Sequence, residues 1–160
     1  QSESYDFFTP DAGELAFLAD ELAPHPFYTR GFILHPNDNV PDLIRQAYQH
    51  QNAARHLLVK GESDYIVHKR QVVQKVDHPS SEAMEAIGGT GDTLTGMLTV
   101  LCGAGFELTD AAILASLANR WSGHYADPSP ATQVIKLIEK IPQALVKVLS
   151  EHKGKDTNER

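Results

Sequence analysis

The chain has 160 residues, 41% hydrophobic and 22% charged, with a formal charge of −7. This length can bury one substantial core, and the balance of apolar to charged residues excludes wholesale disorder. Lys and Arg are scattered apart from Lys69–Arg70 and the C-terminal tail, which excludes a duplex nucleic-acid surface, and a single cysteine excludes an internal disulfide framework.

From the N-terminus, "DFF" reads as a short strand ending near Phe8, and "TPDAGELAFLADEL" reads as a helix. Thr9 and Pro10 suit the helix start, Asp11 and Glu14 have capping-box spacing, and Leu15, Leu18, Ala19 and Leu22 form one apolar stripe. "APHPFYTRGFILHPNDNVP" has no clean period and is expected to be a long ordered loop or an insertion, with Phe27, Tyr28 and Phe32 covering the core or, as the favoured reading, contacting another chain. Pro41 and Asp42 open a helix through about Arg55, with Leu43, Ala47 and Ala54 facing inward.

"HLLVKG" is a strand closed by Gly61, and "YIVHKRQVVQKV" is a hairpin turning near Lys69 to Gln71. From Asp92 the pattern becomes helical. One helix covers roughly Thr93 to Gly103 and is ended by Gly105. A second starts at Thr109 and carries Ala112, Ile113, Ser116, Leu117 and Arg120. A third, interrupted at Pro142, runs from about Thr132 towards Leu149. The expected fold class is α/β, a small sheet flanked by helices, forming a single domain over residues 1–152 with a flexible tail at 153–160.

The stretch "EAIGGTGDTLTGMLTVLCGAG" carries the chemistry. Gly88, Gly89 and Gly91 lie immediately before a helical run, where glycine admits positive φ and close backbone approach. The free amides and partial positive charge of a helix start favour a phosphate or another oxyanion. Neither the P-loop nor the dinucleotide fingerprint is present. Two roles are open to Asp92: capping the helix, or exchanging a proton with a substrate while the neighbouring amides stabilise developing charge.

These segments resemble a known family. "AIGGTGDTLTGMLTVLCGAG" is similar to the "GGTGD" signature of the ribokinase-like superfamily, closest to the C-terminal part of the ADP- or ATP-dependent NAD(P)H-hydrate dehydratases. "FFTPDAGELAFL" resembles that family's "TPHxGE" element, "LLVKGESDYIV" its "LKG" strand and turn, and "PSPATQVIKLIEKIPQALVKVL" its closing helices. The resemblance implies a nucleotide, ADP or ATP, accompanied by Mg²⁺. It implies Lys60 and Gly61 at the nucleotide phosphates, Gly88, Gly89, Thr90 and Gly91 at the nucleotide site, and Asp92 as acid/base. Asp11 and Glu14 would lie near the substrate or the Mg²⁺-phosphate group without forming a metal site of their own. Asp11 stands in place of the family histidine, and Asp64 in place of a neutral residue.

Three functions follow as expectations: hydrated-nicotinamide repair, a small-molecule kinase suggested by Asp11-x-x-Glu14, or a catalytically silent module binding a nucleotide or a protein. The fold that the resemblance implies has a sheet edge that ordinarily continues, so a homo-oligomer or a partner protein is expected to cover it. No apolar run reaches about 18 residues and no leader precedes the first strand, so a cytoplasmic address without membrane contact is expected. The remaining residues carry structural expectations. His25, His35, His50, His56, His68, His78, His124 and His152 read as scattered surface residues, and Cys102 as a small buried side chain. Trp121 and Tyr125 read as packing, and Arg120 as an exposed arginine.

Overall fold

A computed structural model describes residues 5–20, 22 and 39–156. Most of the proline-rich segment, with His25, Phe27, Tyr28, Phe32 and His35, lies outside the described residues. The chain forms two compact units, residues 1–75 and 76–160.

The first unit holds a mixed sheet in the order β1-β2-β3-β4, formed by Phe7–Phe8, His56–Val59, Asp64–His68 and Gln71–Val76. β1 and β2 are parallel, with Phe7 opposite His56 and Phe8 opposite Leu57. Parallel neighbours need a crossover, and the chain between them supplies α1 (Ala12–Ala19) and α2 (Val40–Gln49). β2 and β3 are antiparallel, with His56 opposite His68 and Val59 opposite Tyr65. The hairpin turns at Lys69 and Arg70, both at positive φ (51° and 65°), as a two-residue primed turn demands.

Alternation along the strands sends Leu57, Val59 and Val67 into a core with Leu15, Ala16 and Ala19 of α1 and Leu43, Ile44, Ala47 and Tyr48 of α2. Each large side chain buried there contributes about 1.5–3 kcal/mol of transfer free energy. Leu22, expected in the stripe of α1, lies past the helix end and is 90% exposed.

α2 stops at Gln49, six residues before the expected end at Arg55. Gln51 takes a left-handed conformation (φ 60°), and the Asn52 amide donates to the Ala47 carbonyl at 3.0 Å, closing a Schellman turn. Asn52 Nδ2 then donates to Leu18 O at 3.2 Å, and Tyr48 Oη donates to Ala54 O at 2.9 Å, so the chain leaving α2 is held to the core.

The second unit is helical: α3 (Thr90–Gly103), α4 (Leu108–Ala126), α5 (Ile135–Ile138) and α6 (Ile141–Asp156), preceded by a 3-10 turn at Glu82–Ala86. α4 packs against α3, α5 and α6. Its buried positions are mostly small, Ala111, Ala112, Ala115, Ala118, Ser122 and Gly123, which permits close approach on several sides. At Gly123 a β-carbon would overlap Sδ of Met84 from the 3-10 turn. Gly105, at φ 91°, ends α3 as expected, and the Phe106 amide returns to the Leu101 carbonyl at 3.2 Å.

The last helix breaks at Glu139–Lys140, and Pro142 sits in the first turn of α6, where its missing N–H costs nothing. α6 continues beyond Leu149 to Asp156, and an i,i+4 pair, Lys147 Nζ to Glu151 Oε1 at 2.7 Å, supports its later turns.

Candidate functional site

In the first unit, Asp11, Glu14, Lys60 and Gly61 come together at the carboxyl ends of the parallel strands. Past β1 and β2 the chains stay paired: Lys60 N–H donates to Pro10 O at 2.8 Å, and Asp11 and Lys60 form a parallel bridge. Carboxyl ends of parallel strands are where α/β folds bind ligands, because helix starts and connecting turns gather there.

Asp11 is the N-cap of α1. Its Oδ1 accepts from Glu14 N–H at 2.8 Å, and Glu14 Oε2 accepts from Asp11 N–H at 2.8 Å, a complete capping box. One oxygen of each acid is therefore committed to the backbone. Glu14 is exposed and also lines a shallow depression with Phe7, Phe8, Thr9, Pro10 and Leu18.

Lys60 is half-buried and Gly61 exposed. The Gly61 amide donates to Asp64 Oδ1 at 3.2 Å, and Asp64 is only 4% exposed. Asp64 thus braces the turn between β2 and β3. The spacing G-x-x-D marks such a side-chain-closed turn in the sequence.

In the second unit, Gly88 to Asp92 form the entry to α3. Gly89 is the N-cap at φ 94°, a conformation that favours glycine. The helix starts at Thr90, three residues earlier than the sequence pattern suggests, because Thr93 N–H donates to the Gly89 carbonyl at 2.9 Å and Thr93 Oγ1 donates to the same oxygen at 2.8 Å. Asp92 is therefore not the cap. It is the third helical residue, its side chain exposed, and α3 has no side-chain cap.

Thr90 Oγ1 donates to Ile87 O at 3.2 Å, and Ile87 is buried, which anchors the turn. The amides of Thr90, Gly91 and Asp92 precede the first intrahelical bond and have no acceptor within the helix. These amides and the positive end of a 14-residue helix lie together, with the Asp92 carboxylate in the same turn.

Among the described residues, no three His, Cys, Asp or Glu side chains converge on a metal position. No described helix is long and apolar enough to cross a membrane. Cys102 is partly rather than fully buried, and burial pushes its thiol pKa up, away from the nucleophilic thiolate.

Several structural residues escape the sequence reading. His56 is 7% exposed rather than a surface residue. It stacks on Phe7 at 5.3 Å and on His68 at 4.4 Å, and its Nδ1 lies 3.1 Å from Asp6 O. Position explains this: His56 opens β2, a central strand buried on both faces. Burial is the largest influence on its pKa and lowers it; the bond to Asp6 raises it, and the charge of His68 lowers it again. Arg120 is 8% exposed rather than exposed, because α4 is enclosed along much of its circumference. Trp121 and Tyr125 pack as expected, 5.4 Å apart, with Lys147 Nζ 4.3 Å from the Trp121 ring.

The Carb_kinase family model, described as NAD(P)H-hydrate dehydratase, matches residues 2–143. An uncharacterised protein of Methanocaldococcus jannaschii is 43% identical over 148 residues, 92% of this chain and 64% of that protein. The bifunctional NAD(P)H-hydrate repair enzyme Nnr of Hyperthermus butylicus is 34% identical over 100 residues, 59% of this chain and 18% of that enzyme. The chain thus spans less than two thirds of the length of either relative. No solved structure matches it.

Proposed function

The chain belongs to the Carb_kinase family of NAD(P)H-hydrate dehydratases, and from that premise we propose that it binds ADP or ATP and serves the dehydration of hydrated NADH or NADPH. One observation carries the reading: the start of α3, where the amides of Thr90, Gly91 and Asp92 have no acceptor within the helix and the exposed Asp92 carboxylate lies in the same first turn.

The residues of this turn suit an anion, since amides and a helix dipole bind phosphate without a cationic side chain. Asp92 then takes or returns a proton on the hydrated nicotinamide ring while the amides hold negative charge nearby. By family resemblance Lys60 supplies positive charge to a nucleotide phosphate. Gly61 takes part in that contact only if Asp64 releases its amide. Mg²⁺ binds through one or two carboxylates, retained waters and substrate phosphates, so it belongs to this proposal as a companion of the nucleotide.

The small-molecule kinase reading is the weaker one, because the Asp11-x-x-Glu14 element that suggested it closes a capping box. A cytoplasmic setting is part of the proposal. So is a covering partner, a second copy or another protein, for the outer edge of β1, where Phe7, Phe8 and Leu18 line an open depression.

The test is incubation with hydrated NADPH and either ADP or ATP. NADPH should form with one of the nucleotides and fail to form with Asp92→Ala. Absence of NADPH with both nucleotides, in a preparation that binds them, would leave the silent-module reading in place.

A further inference from the structure

The sheet ends at β4, and this strand is uncovered. Gln71, Val72, Val73, Gln74 and Lys75 are all exposed, and only Val76 is buried. Val72 is 40% and Val73 46% exposed. Successive strand residues point to opposite faces, so both faces are open at the strand's middle. No strand pairs with its outer edge among the described residues. The usual devices against edge pairing are sparse: the strand has no proline, and Lys75 is its only charge.

We propose that the outer edge of β4 pairs with the same edge of a second copy of this chain, antiparallel about a two-fold axis perpendicular to the sheet. Such an axis keeps each residue on its own face, so opposed residues differ by an even number of positions. Centred on Val73, the pairing sets Val73 against its own copy, Val72 against Gln74, and Gln71 against Lys75.

The charges favour this direction. The basic turn Lys69–Arg70 lies before the strand and Asp77 just after it. An antiparallel pair therefore places the basic turn of one copy at the end of the ladder where the other copy carries Asp77, twice, whereas a parallel pair would align like with like. No cation faces a cation, and Val73 supplies a β-branched pair at the centre. These rim charges set register more than strength. A six-residue ladder is small for a stable interface, so the dimer is weak, with a dissociation constant on the order of micromolar.

This inference stands apart from the nucleotide reading and concerns the opposite end of the sheet from β1. Sedimentation velocity from about 1 to about 200 µM, spanning that affinity range, should show a reversible monomer–dimer equilibrium. Val73→Lys, an exposed substitution that sets two cations face to face at the axis, should weaken it by about tenfold or more with unchanged circular dichroism. Lys69→Glu should weaken it, and adding Asp77→Lys should restore it.

In a Cys102→Ser background, Val73→Cys should form an intermolecular disulfide under mild oxidation, and Val72→Cys should not. A wild-type chain that stays monomeric throughout, or a dimer indifferent to Val73→Lys, would overturn the proposal. Equal cross-linking from Val72→Cys would overturn the register.

Discussion

Gly88 and Gly89 are adjacent in the sequence, yet the structure gives them different work, and alanine at each separates the two. Gly89 sits at φ 94°, where a β-carbon crowds the following carbonyl. Forcing an L-residue into that region costs about 1–2 kcal/mol. The added methyl would also lie 3.4 Å from both γ-carbons of Val134, at the edge of ordinary van der Waals contact, so the backbone conformation carries the penalty. At Gly88 an added β-carbon meets nothing within 4 Å, and this glycine is not at positive φ. Its replacement should change stability by no more than about 0.5 kcal/mol, as for an ordinary surface site. For a chain of 160 residues, 1 kcal/mol corresponds to about 2–4 °C in Tm. Gly89→Ala should therefore melt about 2–8 °C below wild type in differential scanning calorimetry, and Gly88→Ala within about 2 °C of it. Equal effects at the two positions, or a neutral Gly89→Ala, would refute the argument that the left-handed N-cap sets the start of α3.

Further outcomes follow from other elements. Asp11→Ala removes one half of the capping box of an eight-residue helix and should cost about 1 kcal/mol in urea denaturation; a double-mutant cycle with Glu14→Ala should show coupling, and strict additivity would contradict the reciprocal bonds. His56 has a folded pKa below 6.5, so the unfolded chain binds its proton first; stability is whole above that pH and falls as pH drops through 6.5 towards the folded value. His56→Phe should flatten the pH dependence of stability between about pH 7 and about pH 5, and an unchanged slope would refute the assignment. Replacing Lys69–Arg70 by Asn-Gly relieves two non-glycine residues at positive φ and should stabilise the hairpin by about 0.5–1 kcal/mol, read as a higher denaturation midpoint.

Where local chemistry decided the structure, the sequence was readable. The capping box at Asp11 and Glu14, the turn at Lys69–Arg70 and the stop at Gly105 each depend on residues within a few positions of one another. The end of α2 was hidden because Gln51 occupies the left-handed position that glycine usually marks. The start of α3 was misplaced because Asp92 looks like a cap, whereas backbone glycine does that work and Thr93 closes the first turn. The burial of His56 and Arg120 has a tertiary cause: burial of a polar residue depends on what packs around its element, which local spacing does not encode. In the candidate site, the segments and the α/β class were legible through family resemblance, but the bond from Gly61 to Asp64 was not. It redirects an amide that the motif alone would assign to a ligand.

The central claim is that the start of α3 holds a nucleotide phosphate, and calorimetric titration with ADP tests it most directly. Wild-type protein should give a saturable isotherm with ADP or ATP. Gly91→Val, which puts a branched side chain into the first turn of α3, should abolish it, and Asp92→Ala should retain it while losing turnover. No detectable binding of ADP, ATP or AMP, or an isotherm unchanged in Gly91→Val, would contradict the account.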